Sequence, residues 1–283
     1  MIWSLQSSPE LTDVQFEQWS KLLEERAGIH LSDQQRIFLQ TQVAMRMREI
    51  GHTDYTQYYH RVMDGVSGVM EWSVLVDRLV VKETSFYRHP PSVDFVRDSL
   101  QKRIETHTLD GSFDAWSVGC SSGEEAYTLA MVMNDCYELA NLDAYFSVTA
   151  TDISRPALQI AKTGVYPRRK VDMLGGHFRH SYFSETENDR FQIDEALRSR
   201  VGFHNANVLN VSQMPHFQFD VIFCQNVLIY FRQALRHKVV DSFVQRLKPG
   251  GILVLGLGEV INWNNPAVAR VAREDLQAYR RTQ

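Results

Sequence analysis

The chain from about Phe95 onward predicts an α/β fold, a doubly wound sheet covered by helices, and the chain before Pro90 predicts a small all-helical domain. Three observations carry this. Strand-like apolar runs alternate with helical stretches in the second part. The first of those runs, Phe113–Val118, ends in a loop of small residues that opens directly into a helix. Ahead of Pro90 the apolar residues keep a helical spacing throughout.

In the first part, Phe16, Trp19, Leu22 and Leu23 share one helix face after a Thr12/Asp13 cap, and a turn follows at Ala27–Ile29. A second helix starts at Ser32 or Asp33 and runs to about Ile50, where Gly51 ends it. Two more cover Tyr55–Met63 and Met70–Val81, separated by a turn at Gly65, Ser67 and Gly68. In the second part, strands fall at Phe113–Val118, Ala144–Ala150, Val201–His204, Phe219–Phe223, Ile252–Leu257 and near Gln277–Arg281. Helices fall at Glu124–Leu139, Pro156–Thr163 and Gln233–Leu247. Between Tyr166 and Arg200 the alternation breaks down around Gly175-Gly176 and a strand-like Arg190–Ile193, so this segment reads as an inserted subdomain.

Over 283 residues the net charge is −4, which gives no electrostatic reason to expect nucleic acid or a membrane surface as partner. Cys120, Cys136 and Cys224 are odd in number and lack CxxC spacing, which argues against a disulfide framework and a zinc site. The ten histidines show no HExxH or HxxxH pattern of ligands apart from His177 and His180, which are scattered, so no metal is expected. The N-terminus has no basic segment followed by an apolar one, and no apolar run reaches the length of a membrane span, so a cytoplasmic location is expected.

The loop Gly119-Cys120-Ser121-Ser122-Gly123, followed by Glu124 and Glu125, has the make-up of a nucleoside-cofactor site. Small residues let the backbone approach a ligand, and a helix start offers unpaired N–H groups. Two carboxylates at that helix start would repel a pyrophosphate, and the third glycine of a dinucleotide fingerprint is missing. A cationic adenosyl cofactor such as S-adenosylmethionine (SAM) suits the acids better. The competing reading is an ordinary strand–helix turn whose acids favour the helix dipole.

The remaining polar motifs fall at the carboxyl ends of other strands, where open parallel sheets bind ligands. Asp152 ends the second strand and either receives ribose hydroxyls or, with Ser154, caps the next helix. Asn207 and Val208 follow the third strand, where an amide and a backbone N–H can read an adenine edge. Asn226 and Val227 follow the fourth, ahead of Tyr230, which spacing alone assigns to the core. Ahead of the α/β part, Lys82–Arg88 sets Glu83 and Arg88 in an aromatic context at a domain junction, with a surface ion pair as the plainer role for Arg88.

Taken together, KETSFYRH (Lys82–His89), WSVGCSSGEEAYTLAM (Trp116–Met131), TDIS (Thr151–Ser154), Gly164-Val165-Tyr166, Asn207-Val208-Leu209 and CQNVLIYF (Cys224–Phe231) resemble the CheR family of chemoreceptor methyltransferases, in order and spacing, over nearly the whole chain. The resemblance implies a SAM-dependent methyltransferase sheet of Rossmann-like type. It also implies a helical receptor-docking domain with linker over 1–88, a SAM-binding domain over 89–283, and a small antiparallel β-subdomain inserted at 167–200. It further implies methyl transfer to glutamate carboxylates on the cytoplasmic helices of chemoreceptors, with S-adenosyl-L-homocysteine (SAH) as product. A glutamate with a pKa near ~4.3 is already ionised at neutral pH and needs no general base.

By the same resemblance Arg88 and Tyr230 are catalytic, and Lys82, Thr84, Arg88, Glu124 or Glu125, Asp152, Asn207, Val208, Asn226 and Val227 hold the cofactor. Arg36, Arg46 and Arg48 on the second helix dock on the receptor. Three departures bear on the substrate. Lys82 stands where the family has Asn, Gln42 and Met45 replace basic residues of the docking helix, and the segment around Ser184–Arg190 is short. No C-terminal pentapeptide tether is therefore expected. Two alternatives stand beside this reading: a SAM-dependent enzyme acting on another acceptor, and a SAM-binding regulator that docks on receptors without catalysis.

Overall fold

The computed structural model describes residues 10–109, 111–142 and 145–282. They form two compact units, one running to Val81 and taking in Tyr230–Arg232, the other comprising Lys82–Ile229 and Gln233 onward. The motif Lys82–Arg88, placed with the helical domain by the sequence reading, thus groups with the second unit.

The first unit is helical. α1 (Asp13–Ala27) begins at Thr12, whose hydroxyl accepts the Gln15 N–H at 3.3 Å while the Gln15 side chain accepts the Thr12 N–H at 3.1 Å. It buries Phe16, Trp19, Leu22 and Leu23 and ends on the left-handed Gly28. A 3-10 turn at Asp33–Gln35, capped by Ser32, leads into α2 (Arg36–Glu49). α3 (Tyr55–Met63) starts at Asp54, and α4 spans Gly65–Leu79. The expected turn over Gly65–Gly68 is instead the first turn of α4. A Cβ on Gly68 would lie 2.6 Å from the Val62 carbonyl oxygen, so glycine is there for close helix packing and not to break the chain.

The second unit opens with α5 (Pro90–Glu105), a helix absent from the sequence reading, with prolines in its first turn. Then come β1 (Phe113–Val118), α6 (Glu124–Leu139), β2 (Phe146–Asp152), α7 (Arg155–Thr163), β3 (Val165–Pro167), α8 (Arg168–Val171), α9 (Gly176–Tyr182), β4 (Phe183–Thr186), β5 (Arg190–Ile193) and α10 (Glu195–Arg198). β6 (Val201–Asn205), β7 (Phe219–Cys224), α11 (Gln233–Val244), β8 (Leu247–Leu255), β9 (Val268–Arg270) and β10 (Gln277–Arg281) complete it. Ala144, the expected start of the second strand, lies outside the described residues.

Seven strands form one sheet in the order β6-β2-β1-β7-β8-β10-β9. The first five are parallel, while β10 runs antiparallel to β8 and β9 antiparallel to β10. From β1 the chain winds outward through β2 and β6 on one side and returns to β7 and β8 on the other. The order therefore switches between β1 and β7, where a crevice for a ligand opens at the carboxyl ends. Strand β7 is buried along its whole length and α6 buries eleven of its residues, so this central layer is apolar on both faces.

The inserted segment forms a second sheet, β3-β5-β4, antiparallel throughout. It holds the chain ahead of α5 in place. Buried Phe86 packs edge-on against Tyr166 of β3 and Phe183 of β4, with ring centroids 4.9 and 5.5 Å apart, and Tyr87 N–H donates to Thr128 Oγ1 of α6 at 3.1 Å. Among the described residues no helix is long and apolar enough to cross a membrane.

Candidate functional site

The carboxyl end of β1 turns sharply because Gly119 and Cys120 both donate backbone N–H bonds to the Thr151 carbonyl of β2, at 2.8 and 3.0 Å. Gly119 has φ +72°, and a Cβ there would overlap Val227 Cγ2, so only glycine lets the loop after β1 close on the loop after β7. Ser121 also lies in the left-handed region, and its N–H donates to Asp152 Oδ2 at 2.8 Å. Asp152 Oδ1 accepts the Ser154 N–H at 2.7 Å, and Ser154 itself caps α7 by accepting the Ala157 N–H at 3.2 Å. Of the two roles weighed for the end of β2, the helix cap falls to Ser154. Asp152 is a partly exposed carboxylate held rigid at the strand tip.

The two acids that open α6 have different surroundings. Glu124 is 0% exposed, ion-paired with Lys170 of α8 and accepting the Ser122 hydroxyl at 2.7 Å, so its carboxylate is enclosed by protein partners. Glu125 is partly exposed and accepts only the Ser117 hydroxyl at 2.6 Å among the hydrogen bonds of the described side chains. Burial pushes its carboxyl up to about 8; the Ser117 bond opposes this, nearby Glu259 and Asp152 reinforce it, and Arg88 opposes it. Such a carboxyl favours a cation brought next to it, because the cation restores the ionised form.

Thr84 and Arg88 are carried by the segment that Phe86 anchors. Lys170 Nζ donates to the Thr84 carbonyl at 3.4 Å, so the lysine that neutralises Glu124 also braces this segment. Arg88 is exposed, and its guanidinium donates to the Glu83 carbonyl at 3.1 Å. Lys82 is exposed, with its carbonyl accepting the Ser121 hydroxyl at 3.3 Å. After β6, Asn207 starts a 3-10 turn over Val208–Gln213, accepting the Leu209 N–H at 3.0 Å, and both Asn207 and Val208 are partly exposed.

After β7, Asn226 is exposed with φ +61° and Val227 is partly exposed. Gly119, Ser117, Glu125, Asp152 and Val227 therefore converge at the switch point, with the Arg88 charge felt at Glu125. Tyr230 ends a 3-10 turn and groups with the helical unit, where its carbonyl accepts the His30 N–H at 2.8 Å.

The three arginines expected to dock on a receptor differ in their surroundings. Arg46 is largely buried, holding both oxygens of buried Glu71 at 2.7 and 2.8 Å and also reaching Glu49 at 3.2 Å. Arg36 pairs with Asp13 at 2.6 Å and donates to the Leu11 carbonyl at 2.7 Å. Arg48 is exposed.

Three residues of consequence were given no role by the sequence reading. Lys170 sits on a four-residue helix inside the insertion. Gln225 is buried and donates to Ser92 Oγ at 2.8 Å and to the Leu255 carbonyl at 3.1 Å, tying the tip of β7 to α5 and β8. Glu259, 3% exposed, accepts N–H bonds from Asn226 and Leu228. Burial raises its pKa, and those bonds oppose the rise. The signal available was Gly256-Leu257-Gly258-Glu259, a carboxylate among glycines at a strand's carboxyl end.

Comparison with known proteins agrees with this geometry. The family description "CheR methyltransferase, all-alpha domain" matches residues 15–80, and "CheR methyltransferase, SAM binding domain" matches residues 82–276. The chain is 28% identical over 247 residues to a chemotaxis protein methyltransferase of Borreliella burgdorferi, covering 86% of this chain and 87% of that one. It is 29% identical over 252 residues to the chemotaxis protein methyltransferase of Escherichia coli, covering 88% and 85%. Among solved structures, the N-methyltransferase NodS of Bradyrhizobium japonicum bound to SAH overlaps 68% of this chain and 88% of its own at 15% identity. Its TM-score of 0.37 is too low to add to the fold assignment. With an all-alpha domain, a parallel sheet whose strand order switches beside Gly119, Glu125, Asp152 and Val227, and family matches on both parts, this chain belongs to the CheR methyltransferase family and carries its SAM-binding domain.

Proposed function

We propose that this protein is a chemotaxis protein methyltransferase that methylates glutamate side chains on the cytoplasmic helices of chemoreceptors. The observation that carries the reading is the division of labour between Glu124 and Glu125. One acid is enclosed by Lys170 and Ser122, and the other faces the crevice with Asp152 close enough to raise its pKa. Two carboxylates at a small-residue loop suit a ligand carrying an ammonium group and ribose hydroxyls, and they disfavour a pyrophosphate.

SAM, when bound, supplies an electrophilic methyl group on a sulfonium. In this reading Glu125 holds its amino group, Asp152 its ribose hydroxyls, Asn207 and Val208 its adenine, and Asn226, Val227 and Thr84 the methionine side. Glu124 serves as the foundation of the loop. In the same reading Lys82, whose carbonyl accepts the Ser121 hydroxyl, lies at the rim of the site. Arg88 steers the anionic acceptor carboxylate, and Tyr230 orients the reacting groups. The acceptor oxygen arrives ionised, so the residues need only position it and exclude water, and no proton moves. Arg48 and, at the other end of the same helix, Arg36 offer the helical unit's positive charge to an acidic receptor helix, while Arg46 is committed to Glu71. Without a pentapeptide tether, that docking carries receptor recognition.

The test is incubation with labelled SAM and receptor cytoplasmic fragments. Base-labile label on receptor glutamates, reduced at least a hundredfold by Arg88→Ala, is the expected result. Receptor binding with no transfer would mark a docking regulator instead, and label confined to another acceptor would mark a different methyltransferase.

A further inference from the structure

The loop after β7 has no regular secondary structure at Asn226 and Val227, yet its backbone is tightly specified. Asn226 is held at φ +61°, and the N–H groups of Asn226 and Leu228 both donate to one carboxylate, that of Glu259. Backbone N–H groups converging in this way form an anion-binding nest, and here the anion is supplied by the protein's own chain. Glu259 comes from the segment after β8 and is itself fixed. Its carbonyl accepts the Arg236 guanidinium at 2.8 Å, and a Cβ on Gly256 would overlap its carboxylate. Glycine at 256 therefore leaves the space the carboxylate occupies. Across the crevice Val227 meets Gly119, so the position of the nest also sets the fit between the two loops at the switch point.

We infer that Glu259 is a positioning residue for methyl-donor binding, its carboxylate locking the Asn226–Leu228 backbone into the wall that receives the amino-acid portion of the cofactor. The inference rests on the reading of Asn226 and Val227 as the methionine-side wall. Glu259 acts through the Asn226 and Leu228 N–H groups, and the adenine and ribose contacts proposed at Asn207 and Asp152 follow other strands.

Glu259→Gln tests this, because it keeps the shape and replaces one accepting oxygen with an NH2 that faces N–H donors. Calorimetry with SAH and with 5′-methylthioadenosine, which lacks the amino-acid portion, is the readout. Loss of one charge-assisted bond of this kind corresponds to about a tenfold loss of affinity. The expected result is about a tenfold weaker SAH affinity with 5′-methylthioadenosine affinity within twofold of the unsubstituted protein.

Unchanged SAH affinity, or an equal loss for both ligands as a general structural defect would give, overturns the inference. Asp152→Ala, measured alongside, separates it from the cofactor reading. If Asp152→Ala weakens SAH while Glu259→Gln does not, only the role of Glu259 falls. Failure of the unsubstituted protein to bind SAH overturns both. Amide exchange in the unsubstituted protein provides a check that needs no variant: the Asn226 and Leu228 N–H groups should be protected although they lie in a loop, and rapid exchange of both would overturn the nest.

Discussion

At Glu125 a single carboxyl links stability to ligand binding. Its pKa is raised to about 8 in the folded chain, against an unfolded value near ~4.3. The stability that this group contributes is therefore fully present below pH ~4.3 and is lost as pH rises through about 8, where the folded state is obliged to ionise it. Glu125→Gln should thus raise the melting temperature of the ligand-free protein at pH 8.5, by about 2–4 °C per kcal/mol relieved, and leave it unchanged at pH 4. The same variant should lose SAH binding. Thermal melts at the two pH values check the first half, and a melting temperature that falls at pH 8.5 would contradict it. At Glu124 the expectation is the opposite. Lys170→Met strands a fully buried carboxylate and should cost about 3 kcal/mol in urea unfolding, whereas Glu124→Gln leaves a partly exposed lysine free to reach water and should cost less.

Among elements, the helical unit depends on a charged joint between α2 and α4. Arg46 holds Glu71 with two hydrogen bonds, the Tyr58 hydroxyl donates to Glu71 at 2.7 Å, and Arg78 of α4 reaches Glu49 of α2 at 2.6 Å. The Arg46 hydrogen bonds lower the Glu71 pKa against the opposing effect of burial. Its contribution is present above the unfolded carboxylate range and is lost as pH falls through the lowered value. Glu71→Gln should accordingly destabilise the unit by about 3 kcal/mol at pH 7, with the difference shrinking as pH drops below ~4, measured by helical circular dichroism during denaturant unfolding. Gly68→Ala, which presses a methyl group on the Val62 carbonyl, should destabilise the same α3–α4 contact independently of pH.

These joints also show what the sequence made legible. α1 and α6 were readable because their caps and apolar spacing are local. Gly68 was misread because a helix-packing glycine and a turn glycine look alike until the neighbouring helix is known. The strands β3, β4 and β9 were missed because three or four residues show a period of two only where, as in β5, buried Phe191 and Ile193 alternate with polar residues. Glu259 and Lys170 were missed because each serves a backbone or carboxylate more than thirty residues away, a pairing that no local pattern encodes.

For the whole molecule, the proposed cofactor loops and the proposed docking arginines fall in different units, and ligand binding should report on them separately. The cofactor loops Gly119–Glu125, Asp152 and Asn226-Val227 all belong to the unit that begins at Lys82, whereas Arg36 and Arg48 belong to the helical one. A ligand that binds only folded protein stabilises it by an amount set by its concentration relative to Kd, about 2.7 kcal/mol at a hundredfold excess. SAH at a hundred times its Kd should therefore raise the unfolding midpoint of the α/β unit. Asp152→Ala should abolish that shift at the same SAH concentration, and it should also lower the ligand-free midpoint modestly, because the Ser121 and Ser154 N–H groups lose their acceptor while Ser154 still caps α7. Arg48→Ala should leave the SAH shift intact and lower methylation of receptor fragments, with the deficit shrinking as salt rises because an exposed charge acts through screened attraction. An Arg48→Ala protein that bound SAH normally and methylated receptor at the full rate in low salt would remove docking from this arginine without touching the cofactor site, because the two measurements interrogate different units of the chain.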